Sequence, residues 1–237
     1  MSAPERDDFF YIQQGNYDNI AELSLPHYHE AHELIAMILK ERGGTVRSAL
    51  DLGAGSGQTA LTVLRAAHGT QLTAVDLFPE MLADARRRLE SFGSRVQFVE
   101  SDNTAFLTSS PRRFDVITSA FCLHHLSRTG KQEIFKLIFE ALNPGGVFLL
   151  LDLTTFTDPT LQKISRRSTE HYMLGRVQDE RVRAEWIHHW NEVNTPDPAD
   201  SQVGWMADVG FQAETVCRWL EVALVAATRP TDVNDRT

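Results

Sequence analysis

Three aspartates stand at comparable points of this chain, each closing a short apolar run: Asp51 in SALDL, Asp76 in LTAVD and Asp102 in VQFVESD. Directly after the first comes a turn, LDLGAGSGQTA over residues 50–60, that holds Gly53, Gly55 and Gly57. Glycine takes positive φ readily and lets backbone approach a ligand with no β-carbon in the way. A helix starting there adds free N–H groups and a positive dipole end. A carboxylate at 51 can approach an ammonium group, directly or through water. One at 76, ending a second strand, can accept both hydroxyls of a ribose, and one at 102 can accept from an adenine amino group. An anionic pyrophosphate would meet too much acid here, whereas a ligand with a sulfonium and an amino group is well served. Plainer roles stay open: Asp51 as a helix-dipole partner, Asp76 as a turn former and Asp102 as an N-cap.

The glycine spacing separates the ligand classes. Dinucleotide sites want G-x-G-x-x-G, but this turn reads G-x-G-x-G and places Gln58 after it. A P-loop is excluded because no Gly-Lys-Ser/Thr follows.

The elements that must hold these residues alternate. Apolar runs at Val46–Leu52, Gln71–Asp76, Val96–Glu100, Phe114–Ala120 and Val147–Leu153 predict buried parallel strands. Between them Thr59–Ala67, Pro79–Phe92 and Lys131–Leu142 carry helical periodicity, and Asn143-Pro144-Gly145-Gly146 predicts a stop and a turn. The expected fold is α/β, doubly wound and mostly parallel, with ligands beyond the carboxyl ends of the strands. Phe211–Thr228 reads as two strands with no helix between them, an antiparallel hairpin at the sheet edge. Residues 1–45, with a helix over His27–Arg42, are expected to form an N-terminal helical lid. Residues 46–228 form the main domain, interrupted by a helical cap at about 156–198, and 229–237 a frayed tail.

Bulk properties narrow the partners. The chain has 237 residues and a formal net charge of −9, which argues against a phosphate backbone as partner. The run Arg86-Arg87-Arg88 reads as a solvated helix face. No apolar run is long enough to span a bilayer, the start MSAPERDDFF predicts no secretory signal, and Cys122 and Cys217 suggest no disulfide framework. A small-molecule partner in a reducing cytoplasm is expected. In PHYHEAHE, His27, His29 and His32 miss the H-E-x-x-H pattern and read as a surface histidine cluster with no metal.

Taken together, LDLGAGSG at 50–57, VDLFPEML at 75–82, SDNTAF at 101–106, FDVITSAFCLHHL at 114–126 and LNPGGVFLLLD at 142–152 resemble the class I S-adenosylmethionine (SAM)-dependent methyltransferases, in family order and spacing. The resemblance implies a seven-stranded Rossmann-like sheet, with SAM as cofactor and S-adenosyl-L-homocysteine as product. It places the glycine turn, with Asp51, Gly53, Ala54, Gly55 and Gly57, at the methionine part and Asp76 at the ribose. Leu77 and Phe78 would flank the adenine with Asp102 and Asn103 at its polar edge, and Tyr17, Met81, Ser101, Ala120 and Phe121 are further candidates for cofactor contact. The segment after strand four lacks the Asn/Asp-Pro-Pro-Tyr/Phe pattern of amide and adenine amino methyltransferases, and the Pro-Cys pair of cytosine C5 enzymes. His124 and His125 are candidates for a general base there, or simply pack. Cys122 reads as a small core residue. Tyr28, His171, Tyr172, Arg183, Trp186 and Trp190 are candidates for the acceptor pocket, and Tyr11, Tyr17 and Tyr28 for the lid. The capping helices could pair two chains.

A second resemblance, in SLPHYHEAHELIAMIL, the long insertion and VGFQAETVCRWLEVALVAATR, is to the carboxy-SAM synthases. These use prephenate and SAM, and an arginine of the late insertion pairs with the new carboxylate; Arg181 or Arg183 is the nearest counterpart. The ordinary form of the glycine turn here points to shared architecture and a different reaction, methyl transfer to a small molecule. A SAM-using enzyme with another outcome, or one acting on RNA or protein, is the alternative, and a SAM-binding protein without turnover is a third.

Overall fold

The structure is a computed structural model and describes residues 17–231, with the side chain of Tyr17 excepted. Seven strands form one sheet: β1 Ser48–Leu52, β2 Gln71–Asp76, β3 Val96–Glu100, β4 Phe114–Ala120, β5 Leu142–Leu153, β6 Gln212–Trp219 and β7 Val222–Thr228. Their order is β3-β2-β1-β4-β5-β7-β6. β7 runs antiparallel to both β5 and β6, so the C-terminal hairpin caps an otherwise parallel sheet. The order reverses between β1 and β4, which makes the carboxyl end of that pair the natural ligand crevice. The doubly wound fold expected from the alternation is the one observed.

Helices are α1 Tyr17–Ser24, α2 Tyr28–Glu41, α3 Gln58–Ala66, α4 Pro79–Arg88, α5 Asn103–Ser109, α6 Arg128–Ala141, α7 Pro159–Leu174, α8 Glu180–His188 and α9 Ala199–Val209. The i, i+3, i+4 apolar stripes bury against the two faces of the sheet. Ile35, Leu39, Ala60 and Leu64 of α2 and α3 meet Leu149 and Leu151 on one side. On the other, Ile134, Phe135 and Ile138 of α6 and Met206 of α9 meet Phe148 and Leu150. Each such side chain, taken fully out of water, contributes roughly 1.5–3 kcal/mol.

Four local expectations need correction. The Asn143–Gly146 stretch does not stop the chain before β5: the strand already begins at Leu142 and absorbs the prolyl-glycyl irregularity as a register shift against β4, between Phe114 and Val116. Gly145 takes φ +78° and donates its N–H to the Arg229 carbonyl, while Arg229 returns an N–H to Gly146. The helix after β2 ends at Arg88, and a 3₁₀ stretch over Glu90–Arg95, broken at Gly93 with φ +54°, replaces its predicted last turn. α1 and α5, of eight and seven residues, are helices the sequence reading does not place, because an apolar stripe over so few residues gives little signal. The histidine cluster is not a surface one throughout: His32 is buried on α2, bonded to the Tyr28 carbonyl at 2.8 Å and the Thr59 hydroxyl at 3.2 Å, whereas His27 and His29 are exposed. Burial holds the His32 imidazole below its ordinary pKa. Among the described residues no cluster has the composition of a metal site, and no helix is long and apolar enough to cross a membrane.

The segment between β5 and α9 leaves and re-enters the sheet at one place. Thr155 donates its N–H to the Asp197 carbonyl at 3.2 Å and forms a parallel bridge with Pro198. Asp197 in turn holds the buried Lys131 ammonium at 3.0 Å and the Arg128 guanidinium at 2.9 Å.

Candidate functional site

The glycine turn sits where the fold puts the crevice. Asp51, at the end of β1, is fully buried, and its Oδ1 accepts the Thr118 hydroxyl from β4 at 2.6 Å. Among the described residues its Oδ2 completes no hydrogen bond, although the Ala60 N–H lies close enough to favour the charge. Burial pushes this carboxyl up to about 7, the nearby Asp76 charge pushes the same way, and the Thr118 bond resists it. A buried, half-satisfied carboxylate oxygen is costly, and a ligand ammonium would satisfy it.

Asp76, at the end of β2, fastens the turn to the loop that follows it. Its Oδ2 accepts the Gly55 N–H at 2.7 Å and its Oδ1 accepts the Phe78 N–H at 2.9 Å. Burial raises its pKa against those two donors. Each carboxylate oxygen keeps a further lone pair, enough for two hydroxyls. Leu77 is exposed, Phe78 precedes α4 as its N-cap, and Met81 is buried with its methyl beside Gly55. Asp102 is an exposed N-cap of α5, accepting the Ala105 N–H at 3.0 Å; that bond leaves its other oxygen open. The Ser101 hydroxyl turns to the Asp102 carbonyl at 3.0 Å. Asn103 braces three loops, accepting the Gly53 N–H at 3.2 Å and donating to Cys122 Sγ at 3.4 Å.

Gly53 shows why this turn needs glycine. It has φ +67°, and a β-carbon there would lie 2.2 Å from Cys122 Sγ. Gly53→Ala is therefore expected to cost roughly 2–4 kcal/mol in positive-φ strain and overpacking. Thermal melting with SAM titration checks this; an unchanged melt would mean that Cys122 moves aside freely. The pKa of the Cys122 thiol itself is pushed up, chiefly by burial, away from the thiolate form that a nucleophile needs. Ala54, buried, donates its N–H to Val75, and Gly55 and Gly57 share the positive φ. Ala120 ends β4, and Phe121 follows at φ +49° with its ring stacked on Tyr28 at 5.8 Å. A bulky residue in that region is strained, and it lies beside the crevice. Tyr28 is a buried wall residue, and the Tyr17 side chain and Tyr11 lie outside the described residues.

After β4, a 3₁₀ turn over Leu123–His125 carries the two histidines. Asp152, from the carboxyl end of β5, receives the His124 N–H at 2.9 Å, His124 Nδ1 at 2.5 Å and its neighbour Leu153 N–H at 2.9 Å. A carboxylate that already takes two backbone N–H groups meets the ring as an acceptor, which sets the hydrogen on Nδ1 and, in the neutral imidazole, the lone pair on Nε2. The His125 ring lies 4.1 Å from His124 and 5.3 Å from His189. Burial, together with the charges of His124, His189 and Lys131, holds His125 well below its ordinary pKa. Burial likewise pushes His189 down to about 4.

His189 opens a π-helical turn over His189–Val193, a feature often found at functional sites. Its neighbour Trp190, with Trp186, Arg166, Thr169, Glu170 and Met173, lines a shallow cleft between α7 and α8. Arg166 stands 5.2 Å from the Trp190 ring and 3.3 Å from the buried Glu221. Of the pocket candidates, Trp186 and Trp190 line this cleft. The other cap candidates do not: His171 is exposed, Tyr172 lies under the Arg176 guanidinium, and Arg183 pairs with Glu180 on its own helix. On α7, His171 and Tyr172 fall off the face of Arg166, Glu170 and Met173, whereas Arg183 shares the face of Trp186 and Ile187 one turn earlier on α8.

Sequence reasoning gave no site role to Asp152, Thr118 or Arg166, and met His189 only as part of the stretch 186–190. Asp152 had a signal: like Asp51 and Asp76, it is a carboxylate set in an apolar strand end, LLLDL. The others depend on contacts between distant elements.

The glycine turn, the carboxylates at the ends of β1 and β2 and the hairpin-capped sheet together make up the Rossmann-like fold of the class I SAM-dependent methyltransferases. The methyltransferase domain family matches residues 49–146, the part of the chain that carries the glycine turn and the strands framing it. It is similar to the carboxy-S-adenosyl-L-methionine synthase of Campylobacter lari, 23% identical over 86% of both chains. Among solved structures, it resembles an O-methyltransferase family protein from Burkholderia thailandensis at TM-score 0.68 and 19% identity, over 98% of this chain and 65% of that one. It also resembles DhpI in its complex with S-adenosylhomocysteine, at TM-score 0.62 and 17% identity over 94% of both chains.

Proposed function

We propose that this enzyme transfers the methyl group of SAM to a small-molecule acceptor whose nucleophilic atom gives up a proton, with His124 as the base and Asp152 as its positioning residue. SAM supplies an activated methyl on a sulfonium, so the protein has mainly to align the acceptor, exclude water and take the proton. Asp51 and the turn of Gly53, Gly55 and Gly57 would hold the methionine part, and Asp76 the ribose. Asp102 and Asn103 would meet the adenine edge. The observation that carries the reading is the two-point clasp of Asp152 on His124, at 2.9 and 2.5 Å. It fixes the tautomer and leaves Nε2 as the nitrogen able to accept a proton. The acidic chain, at −9, favours a small acceptor over a polyanion.

The test is formation of S-adenosylhomocysteine against a panel of hydroxyl, thiol and amine acceptors, in wild type and His124→Gln. Product with a hydroxyl acceptor that falls about 100-fold or more in the variant, with SAM affinity kept, supports the reading. Equal turnover in both forms defeats it. A second reading, carboxylation of SAM, draws on the curated relatives, which cover about nine-tenths of the chain at 22–26% identity. It needs a guanidinium for the new carboxylate. Arg181 pairs with Glu185 at the surface, and the arginine that lines the cleft is Arg166. Mass spectrometry of the nucleoside product distinguishes the two.

A further inference from the structure

The glycine turn is gripped from outside by a side-chain ring that closes on both sides of Gly57. The Ser56 hydroxyl donates to Asp18 Oδ1 at 2.5 Å. Asp18 Oδ2 pairs with the Arg88 guanidinium, and Arg88 donates from Nη1 to Gln58 Oε1 at 2.5 Å. Ser56 and Gln58 flank Gly57, whose φ is +86° and whose missing β-carbon would lie 3.1 Å from Ala85 of α4. Arg88 comes from the same helix, and Asp18 from the first turn of α1. This ring gives a role to two features left over by the sequence: the glutamine where a dinucleotide turn continues toward glycine, and one arginine of the run 86–88. Asp18 and Arg88 are both about one-quarter exposed, so the pair is shielded from solvent more than an ordinary surface ion pair. α1 is otherwise held by Ile20, Ala21, Ser24 and Leu25, all buried, and it packs on α2 and α7.

We propose that Asp18 is a positioning residue that couples the docking of α1 to cofactor binding, by locking Ser56 and, through Arg88, Gln58 on either side of Gly57. The turn can hold a ligand only in one backbone arrangement, and the ring stabilises that arrangement only while α1 is seated. Linkage is reciprocal: seating α1 tightens SAM binding, and SAM tightens the seating of α1. The inference rests on SAM as the cofactor of this turn and not on the acceptor or the base.

The experiment titrates S-adenosylhomocysteine calorimetrically into the full chain as wild type, Asp18→Ala, Arg88→Gln and the double variant. Amide hydrogen exchange of residues 20–24 is followed with and without the ligand. Each single variant should weaken Kd by about tenfold, and the double variant no further, because either change opens the same ring. Ligand should slow exchange in α1 of the wild type and not of the variants. Affinities within twofold of wild type, additive losses, or ligand protection of α1 that survives Asp18→Ala would each overturn the coupling. Should a variant melt early, Ser56→Ala removes one bond of the ring without the ion pair and must show the same loss of protection. A wild type that binds neither S-adenosylhomocysteine nor SAM would overturn the cofactor assignment along with the coupling.

Discussion

Replacing Asp51 by asparagine is expected to yield a protein that is more stable at pH 8 and a much poorer binder of SAM. The folded state raises this carboxyl from 3.8 to about 7, mainly by burial, while the unfolded chain leaves it near the ordinary value. Below about pH 4 both states hold the proton and the group has no effect on stability. As pH rises from there to about 7 the unfolded state ionises first, so stability falls, and above about 7 the full penalty is present. The shift corresponds to roughly 4 kcal/mol. Asparagine can still accept the Thr118 hydroxyl but carries no buried charge. Thermal melts of wild type and variant should therefore converge near pH 4 and separate toward pH 8, with the variant the more stable. A cofactor ammonium beside Oδ2 reverses the penalty: wild type should release a proton on binding SAM near pH 6.5, and the variant should not. Titrations in buffers of different ionisation enthalpy read this directly. Parallel melting curves over the whole range would show that Asp51 titrates as an ordinary carboxyl.

Asp152→Asn is expected to lower kcat by about 10³ and to leave SAM affinity nearly unchanged. The asparagine amide can still meet the His124 backbone N–H or the ring, but with an N–H of its own it no longer selects the Nδ1–H tautomer. The lone pair then spends much of its time on the wrong nitrogen. A merely structural role would instead show as a lower melting temperature with kcat recovered at higher pH or not altered at all. The telling measurement is therefore the pH profile of kcat in wild type and variant, with the melt of each recorded alongside.

The strands 71–76, 96–100 and 114–120 could be read to the residue because their apolar runs end at Asp, Glu and Ala with turn chemistry behind them. The glycine turn was legible for the same local reason, three glycines in five residues. What could not be read depends on distance in sequence. His124 and Asp152 are 28 residues apart, and Asp18 and Arg88 are 70 apart, so no window of helical or strand period contains either pair. Asp102 caps α5, and its sequence position does not separate that role from a ligand contact. The prolyl-glycyl stretch before β5 misleads because pairing with Arg229, at the far end of β7, holds it in the sheet.

The tie between Thr155 and Asp197 has a wider meaning for how such an enzyme can change. Residues 156–196 depart from and return to neighbouring points of a finished scaffold, so their length and composition can vary at a small entropic cost. The Lys131 and Arg128 posts that hold the return point belong to α6, outside this loop. The excursion is thus a cassette. If the proposed function holds, donor handling is written into the sheet and its turns and acceptor choice into a replaceable segment, and descendants can exchange one without rewriting the other.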